Sequence, residues 1–289
     1  MKVLLTLFFL LIYVFCFASE VLELYGIPSQ GSVLLGKLSD DAESVYLDYE
    51  QLTISDSVFV IGFDRDAKLH HIITVVLKSG EMLSKRFVLN KREYNIQEIN
   101  KVEEKYVSKP KSSEIWQRIS NESKSLKAIR KLTYNTRDFY PQNYTFPIDR
   151  NLRISSEFGS QRILNGVPKK PHNGLDIAVP KGTPVLAPMN GIVVLTGHYY
   201  YNGVFVLLDH GMGLTSIYLH LDKTDAEIGD IIKQGEKIGE VGTTGRSTGN
   251  HLHWGVQLFD KRIDPNSLLE LMNIFIKIEQ KEEVNGQEE

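Results

Sequence analysis

From His251 to Leu258 the chain alternates without a break. Leu252, Trp254, Val256 and Leu258 fall on one face of a strand, and His251 and His253 fall on the other. The apolar face belongs to a core. The opposite face then presents two imidazoles whose Cα atoms lie roughly 6.6 Å apart. Ordinary packing does not call for such a pair.

The rest of 150–270 reads as β structure rich in glycine. Gly191–Thr196, Val204–His210, Leu214–Leu221, Gly229–Ile232 and Lys237–Val241 are strand candidates. Asp264 followed by Pro265 caps a short helix running to about Ile278, and 279–289 is a polar, charged tail with a disordered composition. Residues 20–105 form a second β-rich unit. Its runs Ser32–Leu38, Ser44–Tyr49, Ser57–Phe63, Ile72–Leu77 and Arg86–Leu89 are separated by turn signals, a spacing that predicts a sandwich-like fold. Its adjacent His70 and His71 point to opposite faces and read as surface residues. Between the two units, 106–149 is a linker containing a helix over 112–135. Ile115, Ile119, Leu126, Ile129 and Leu132 form its apolar stripe, with Trp116 beside it, and Ser112 or Ser113 caps its start. The helix either links the units or packs across the second.

Residues 1–19 carry one lysine, a nearly unbroken apolar run from Val3 to Phe17, and small residues before a cut after Ala18, the pattern of a signal peptide. Left uncut, residues 3–17 provide a transient membrane contact, although the run is short for a span of about 20 residues. The only cysteine, Cys16, lies in that segment, so cleavage leaves no thiol nucleophile and no Cys-based zinc site. A net charge of −3 argues against nucleic acid as a partner.

His172 and Asp176 are four residues apart. Fully extended they lie about 13 Å apart, too far to share an ion. Gly174 and the run Ile177-Ala178-Val179-Pro180 do not look helical, so a turn at Asn173-Gly174 must bring the pair together. A hydrolytic zinc ion takes three His, Asp or Glu ligands and keeps one position for water. Three of His172, Asp176, His251 and His253 can close on such an ion and leave the fourth beside it. His220 joins them from the alternating Thr215–Leu221 segment, where Ser216, Tyr218 and His220 read as the polar face and Ile217, Leu219 and Leu221 as the apolar one. His210 reads as structural or at the rim, and His198 carries no assignment.

Three segments, His172-Asn173-Gly174-Leu175-Asp176, Tyr218-Leu219-His220-Leu221 and His251-Leu252-His253-Trp254, resemble in order and spacing the LytM/lysostaphin-type zinc peptidases of peptidase family M23. Phe158-Gly159, Gly182-Thr183-Pro184-Val185, Gly191, Gly242-Thr243-Thr244-Gly245 and Ser247-Thr248-Gly249 extend the likeness over about 150–270. Arg92-Glu93-Tyr94-Asn95-Ile96-Gln97 resembles, more weakly, the accessory β-domain of some Gram-negative members. The resemblance implies a mainly β chain, with a C-terminal M23-type β-sheet domain like a duplicated hybrid motif, preceded by a small β-sandwich-like domain and a linking helix. It implies His172, Asp176 and His253 as ligands of Zn2+, and His220 and His251 as the catalytic pair beside a metal-activated water. It further implies a peptidoglycan endopeptidase of the Gram-negative periplasm or envelope, cutting D-alanyl–diaminopimelate cross-links. Some relatives cut glycine bridges instead. The alternative is a LytM-like regulator of cell-wall amidases, a class that usually lacks one or more ligands; all are retained here.

Overall fold

The structure, a computed structural model, describes residues 21–108, 110, 112–132, 144–148 and 153–274. The signal-peptide segment, positions 133–135 of the expected linker helix, positions 275–278 of the expected C-terminal helix and the polar tail lie outside the described residues.

In the N-terminal unit, Leu22–Tyr25, Val33–Leu38 and Val58–Gly62 form one antiparallel sheet; Glu50–Gln51, Ala42–Leu47, His70–Leu77 and Met82–Val88 form another. Leu24, Leu34, Phe59 and Ile61 of the first meet Val45, Ile73, Val75 and Phe87 of the second in a shared core, as a sandwich requires. The first sheet is also buried on its other face. Tyr25, Val33, Leu35 and Val60 pack there with Ile263, Leu268, Leu271 and Met272. Double burial explains why Val33-Leu34-Leu35 is an apolar run and not an alternation.

Polar groups close the same seam. The Asp264 carboxylate accepts the Asn266 N–H at 3.0 Å, capping the helix over 265–274, while its other oxygen pairs with Arg92 at 2.8 Å. Arg65 Nε donates to the Gly159 carbonyl at 2.6 Å, and the Arg65 and Arg92 guanidiniums flank the Tyr94 ring at 4.3 and 5.2 Å.

The C-terminal region is a 10-stranded sheet. Its main path runs Ile231–Ile232, Gly191–Tyr199, Gly203–Gly211, Leu214–Lys223, Leu252–Leu258, Leu175–Ala178, Arg153–Ser156. Leu252, Trp254, Val256 and Leu258 enter the core, as their alternation requires.

The linker helix spans Ser113–Leu132, and Ser112 Oγ accepts the Ile115 N–H at 3.4 Å at its start. It lies across the second region. Leu126 and Ile129 pack on Leu195, Phe205, Leu207 and Ile217, and Glu122 accepts the Tyr200 N–H at 2.9 Å. Leu132 departs from the expected stripe: it is 73% exposed, although Ile129 and Arg130 just before it are packed or buried. His71 departs from its surface reading as well. It is buried between Phe63 and Phe87, with Nδ1 2.7 Å from Asp48 and Nε2 2.8 Å from the Lys68 carbonyl.

Candidate metal centre

Strand register builds the centre. Leu175–Ala178 runs antiparallel to Leu252–Leu258 with Asp176 directly opposite His253. His253 Nδ1 lies 2.8 Å from Asp176 Oδ1. His172 enters from the bend before the strand, its Nε2 3.0 Å from the same oxygen and 2.9 Å from His253 Nδ1. The segment 171–174 is not helical, so the pair closes through a bend. Gly174 makes the bend possible, since an added Cβ would sit 2.5 Å from the Trp254 carbonyl oxygen and 2.8 Å from the His253 ring. The ligand atoms of His172, Asp176 and His253 all lie within 4.8 Å of one another. Two imidazoles and one carboxylate are a donor set suited to zinc.

Backbone carbonyls fix the tautomers. His172 Nδ1–H donates to the Glu157 carbonyl at 3.0 Å, His220 Nδ1–H to Thr244 at 2.8 Å, and His251 Nδ1–H to Gly249 at 2.8 Å. A carbonyl only accepts, so each of these rings keeps an Nε2 lone pair. Such outer partners orient metal ligands.

His220 and His251 stand beside the trio. Their ring centroids are 4.9 Å apart, His220 is 6.2 Å from His253, and His251 Nε2 is 3.8 Å from Asp176 Oδ1. The path of His220 differs from simple alternation. Ser216 and Tyr218 do share a face, but it is buried, with Tyr218 in the main core; Ile217 and Leu219 line the cavity above the centre. At His220 the backbone turns left-handed, φ +64°, and the register of the flanking pairings shifts. This irregularity puts His220 on the cavity side with Ile217 and Leu219 and returns Leu221 to the core. A non-glycine residue in that conformation is strained, and such strain collects at functional sites. His210 is buried with its nitrogens 2.7 Å from the Asn190 carbonyl and 2.7 Å from Ser216 Oγ, and His198 is exposed.

Arg162 was not singled out by its sequence context, yet its Nη2 pairs with Asp176 Oδ2. The carboxylate thus turns one oxygen to the histidines and the other to a guanidinium. Burial opposes charge on Asp176, but His172 and His253 hold its carboxyl well below the usual carboxylate range. Burial pushes His253 down to about 4 despite Asp176. Burial, with His251 and His253 nearby, holds His220 well below the usual histidine value.

These shifts set the acid response of the metal-free chain. His220 and His253 bind protons less readily folded than unfolded. Their stabilising contribution is therefore complete above the unfolded value of about 6.5 and is lost as pH falls through it towards the folded values. The chelator-treated chain is expected to show a lower Tm at pH 5 than at pH 7.5 by thermal unfolding. An unchanged or higher Tm at pH 5 would show that these imidazoles are not held neutral.

A cavity of about 370 Å3 opens over the centre, lined by His172, His220 and His253 and roofed partly by Leu126 and Arg130 of the linker helix. Arg130, Arg162 and Arg246 were missed as site residues because each arrives through tertiary packing and none belongs to a local pattern of metal-ligand spacing.

Residues 170–265 match the family model for peptidase family M23. Peptidoglycan DD-endopeptidase ShyA of Vibrio cholerae is 44% identical over 111 residues, covering 38% of this chain and 26% of the relative. DD-carboxypeptidase/endopeptidase Mpg of Neisseria meningitidis is 37% identical over 116 residues, covering 40% and 27%. The chain thus spans about a quarter of the length of these relatives. Among solved structures, a candidate peptidase M23 of Pseudomonas aeruginosa aligns with a TM-score of 0.61 and 28% identity, covering 84% of this chain and 96% of that one. That alignment takes in the N-terminal sandwich as well as the large sheet. Together the three findings show that residues 170–265 carry a peptidase family M23 domain.

Proposed function

We propose that the chain is an exported zinc endopeptidase that hydrolyses peptide cross-links of peptidoglycan, with the D-alanyl–diaminopimelate bond as its target. The observation that carries this reading is the convergence of His172, Asp176 and His253, with His220 and His251 beside them, under a cavity that His172, His220 and His253 line. The names of the relatives, peptidoglycan DD-endopeptidase and DD-carboxypeptidase/endopeptidase, supply the substrate class. The apolar run Val3–Phe17 supports export.

His172, Asp176 and His253 would hold the ion. When bound, zinc supplies Lewis acidity towards water and a carbonyl oxygen. The remaining work falls to the histidine pair. Because Nδ1–H of both His220 and His251 is already given to a carbonyl, both Nε2 atoms begin as acceptors. The one that takes the attacking water's proton becomes an Nε2–H donor, able to stabilise an oxyanion or protonate the leaving amine. Burial keeps His220 neutral and ready to accept.

The test is mass spectrometry of purified cross-linked muropeptides after incubation with the zinc-loaded chain, with and without chelator. Expected is conversion of dimers to monomers at the D-alanyl–diaminopimelate bond, abolished by chelator. Intact dimers in the presence of bound zinc would overturn the reading and leave the amidase-regulator role as the one to pursue.

A further inference from the structure

The cavity wall over the candidate centre carries charge of one sign. Arg130, Arg162, Lys169, Lys170, Arg246 and Arg262 line it, and no Asp or Glu does among the described residues. A chain of net charge −3 does not produce that by composition. Some of these cations are already committed: Arg162 to Asp176, and Lys169 Nζ to the Val107 carbonyl.

Arg246 is different. Its guanidinium lies 4.8 Å from the Tyr201 ring centroid, and it forms no ion pair among the described residues. Burial and the nearby Arg162 charge both press against its ionised form, and an anion arriving beside it would offset them. The backbone that carries it is fixed. Arg246 N–H donates to the Tyr201 carbonyl at 2.9 Å. Gly245 before it is left-handed, φ +68°, and an added Cβ there would sit 2.3 Å from the Gly203 nitrogen. The same loop continues through Ser247 and Gly249, which hold His251 Nδ1 at 3.2 and 2.8 Å. A partly buried cation without an acidic partner therefore sits on the rigid loop that orients a histidine of the site.

We propose that Arg246 binds a substrate carboxylate, and that it restricts cleavage to amide bonds whose nitrogen-side residue bears a free α-carboxylate. This rests on the endopeptidase reading above and names the chemistry selected within it. In a D-alanyl–diaminopimelate cross-link, the amide nitrogen is attached to a carbon that also carries a free carboxylate. Within a glycine bridge, the corresponding carboxyl is consumed in the next peptide bond. A guanidinium makes charge-assisted, often paired hydrogen bonds to a carboxylate and loses them when the group is a neutral amide.

The experiment uses the zinc-loaded full chain and two cross-linked muropeptide dimers. They are identical except that the carboxylate next to the scissile amide is free in one and amidated in the other. The wild-type chain is expected to prefer the free acid by about 10- to 100-fold in kcat/KM, the scale of a charge-assisted hydrogen bond, mainly through KM. In Arg246→Gln that ratio collapses towards one. In Arg246→Lys it takes an intermediate value, and this variant decides the matter if Arg246→Gln loses zinc or fold. A wild-type ratio of one overturns the subsite while leaving the endopeptidase reading intact. A ratio kept in both variants assigns the selection elsewhere and overturns the role of Arg246. No cleavage of either dimer, with zinc bound, overturns the endopeptidase reading and the subsite with it.

Discussion

Alanine at position 253 is expected to remove metal and activity together. His253 faces Asp176 across a strand pair and shares Oδ1 with His172 at 2.8 Å and 3.0 Å respectively, so its loss leaves a two-ligand site. Hydrolytic zinc needs three protein ligands to stay bound with an open position. The Lewis acidity lost is worth several kcal/mol, on the order of a thousandfold in rate or more. His251→Ala provides the contrast. His251 Nε2 lies 3.8 Å from Asp176 Oδ1, outside the close trio, and its ring lies beside that of His220. That variant should keep about one zinc per chain and lose roughly a hundredfold or more in turnover, the scale of general acid–base catalysis. Metal analysis after gentle purification, paired with muropeptide turnover, reads both effects. Zinc retained in His253→Ala, or lost in His251→Ala, would mean the ligand assignment is wrong.

How far the sequence could be read depends on the range of the forces involved. The alternation from His251 to Leu258 is local, and it gave both the buried Trp254 face and the cavity-facing His253. The need for a turn between His172 and Asp176 followed from chain geometry alone. At His220 the same alternation rule failed. The expected polar face, Ser216-Tyr218-His220, splits where the backbone turns left-handed, and no residue type at that position announces a left-handed conformation. Arg162 reaches Asp176 from Gln161–Leu164, which pairs in parallel with Ile96–Ile99 outside the large sheet, and its Nη2 also lies 3.3 Å from Ser156 Oγ of Arg153–Ser156. Its partner is fixed by sheet topology, which periodicity does not encode. His71 shows the same gap. Next to His70 it reads as surface, but the Asp48 carboxylate and the Lys68 carbonyl lie 2.7 and 2.8 Å from its two nitrogens and give the buried ring polar partners. The linker helix was legible as a helix, while its place on the cavity roof depended on Leu195, Phe205 and Ile217 lying under Leu126 and Ile129.

A single methyl group at Gly174 is expected to disturb fold and metal affinity at once. The Cβ of Gly174→Ala would meet the Trp254 carbonyl oxygen at 2.5 Å and the His253 Cε1 and Nε2 atoms at 2.8 Å. The carbonyl cannot yield cheaply, because Trp254 is paired with Leu175 in the same strand register that sets Asp176 against His253. Nor can the imidazole swing aside and still meet Asp176. Relief must come from separating the bend from the Leu252–Leu258 strand, which pulls His172 away from the other two groups. Overpacking of this kind costs about 1–3 kcal/mol. Misplacing a ligand-bearing segment adds a loss of zinc affinity, on the order of 10- to 100-fold if the disturbance matches loss of an outer-shell contact. Gly249→Ala is the control, since a Cβ added there meets nothing within 4 Å and its φ is not left-handed. Thermal unfolding of both metal-free variants, with zinc competition against a chelator, separates the effects. A Gly174→Ala chain with wild-type Tm and wild-type zinc affinity would show that the close approach of the bend to His253 is not what holds the centre together.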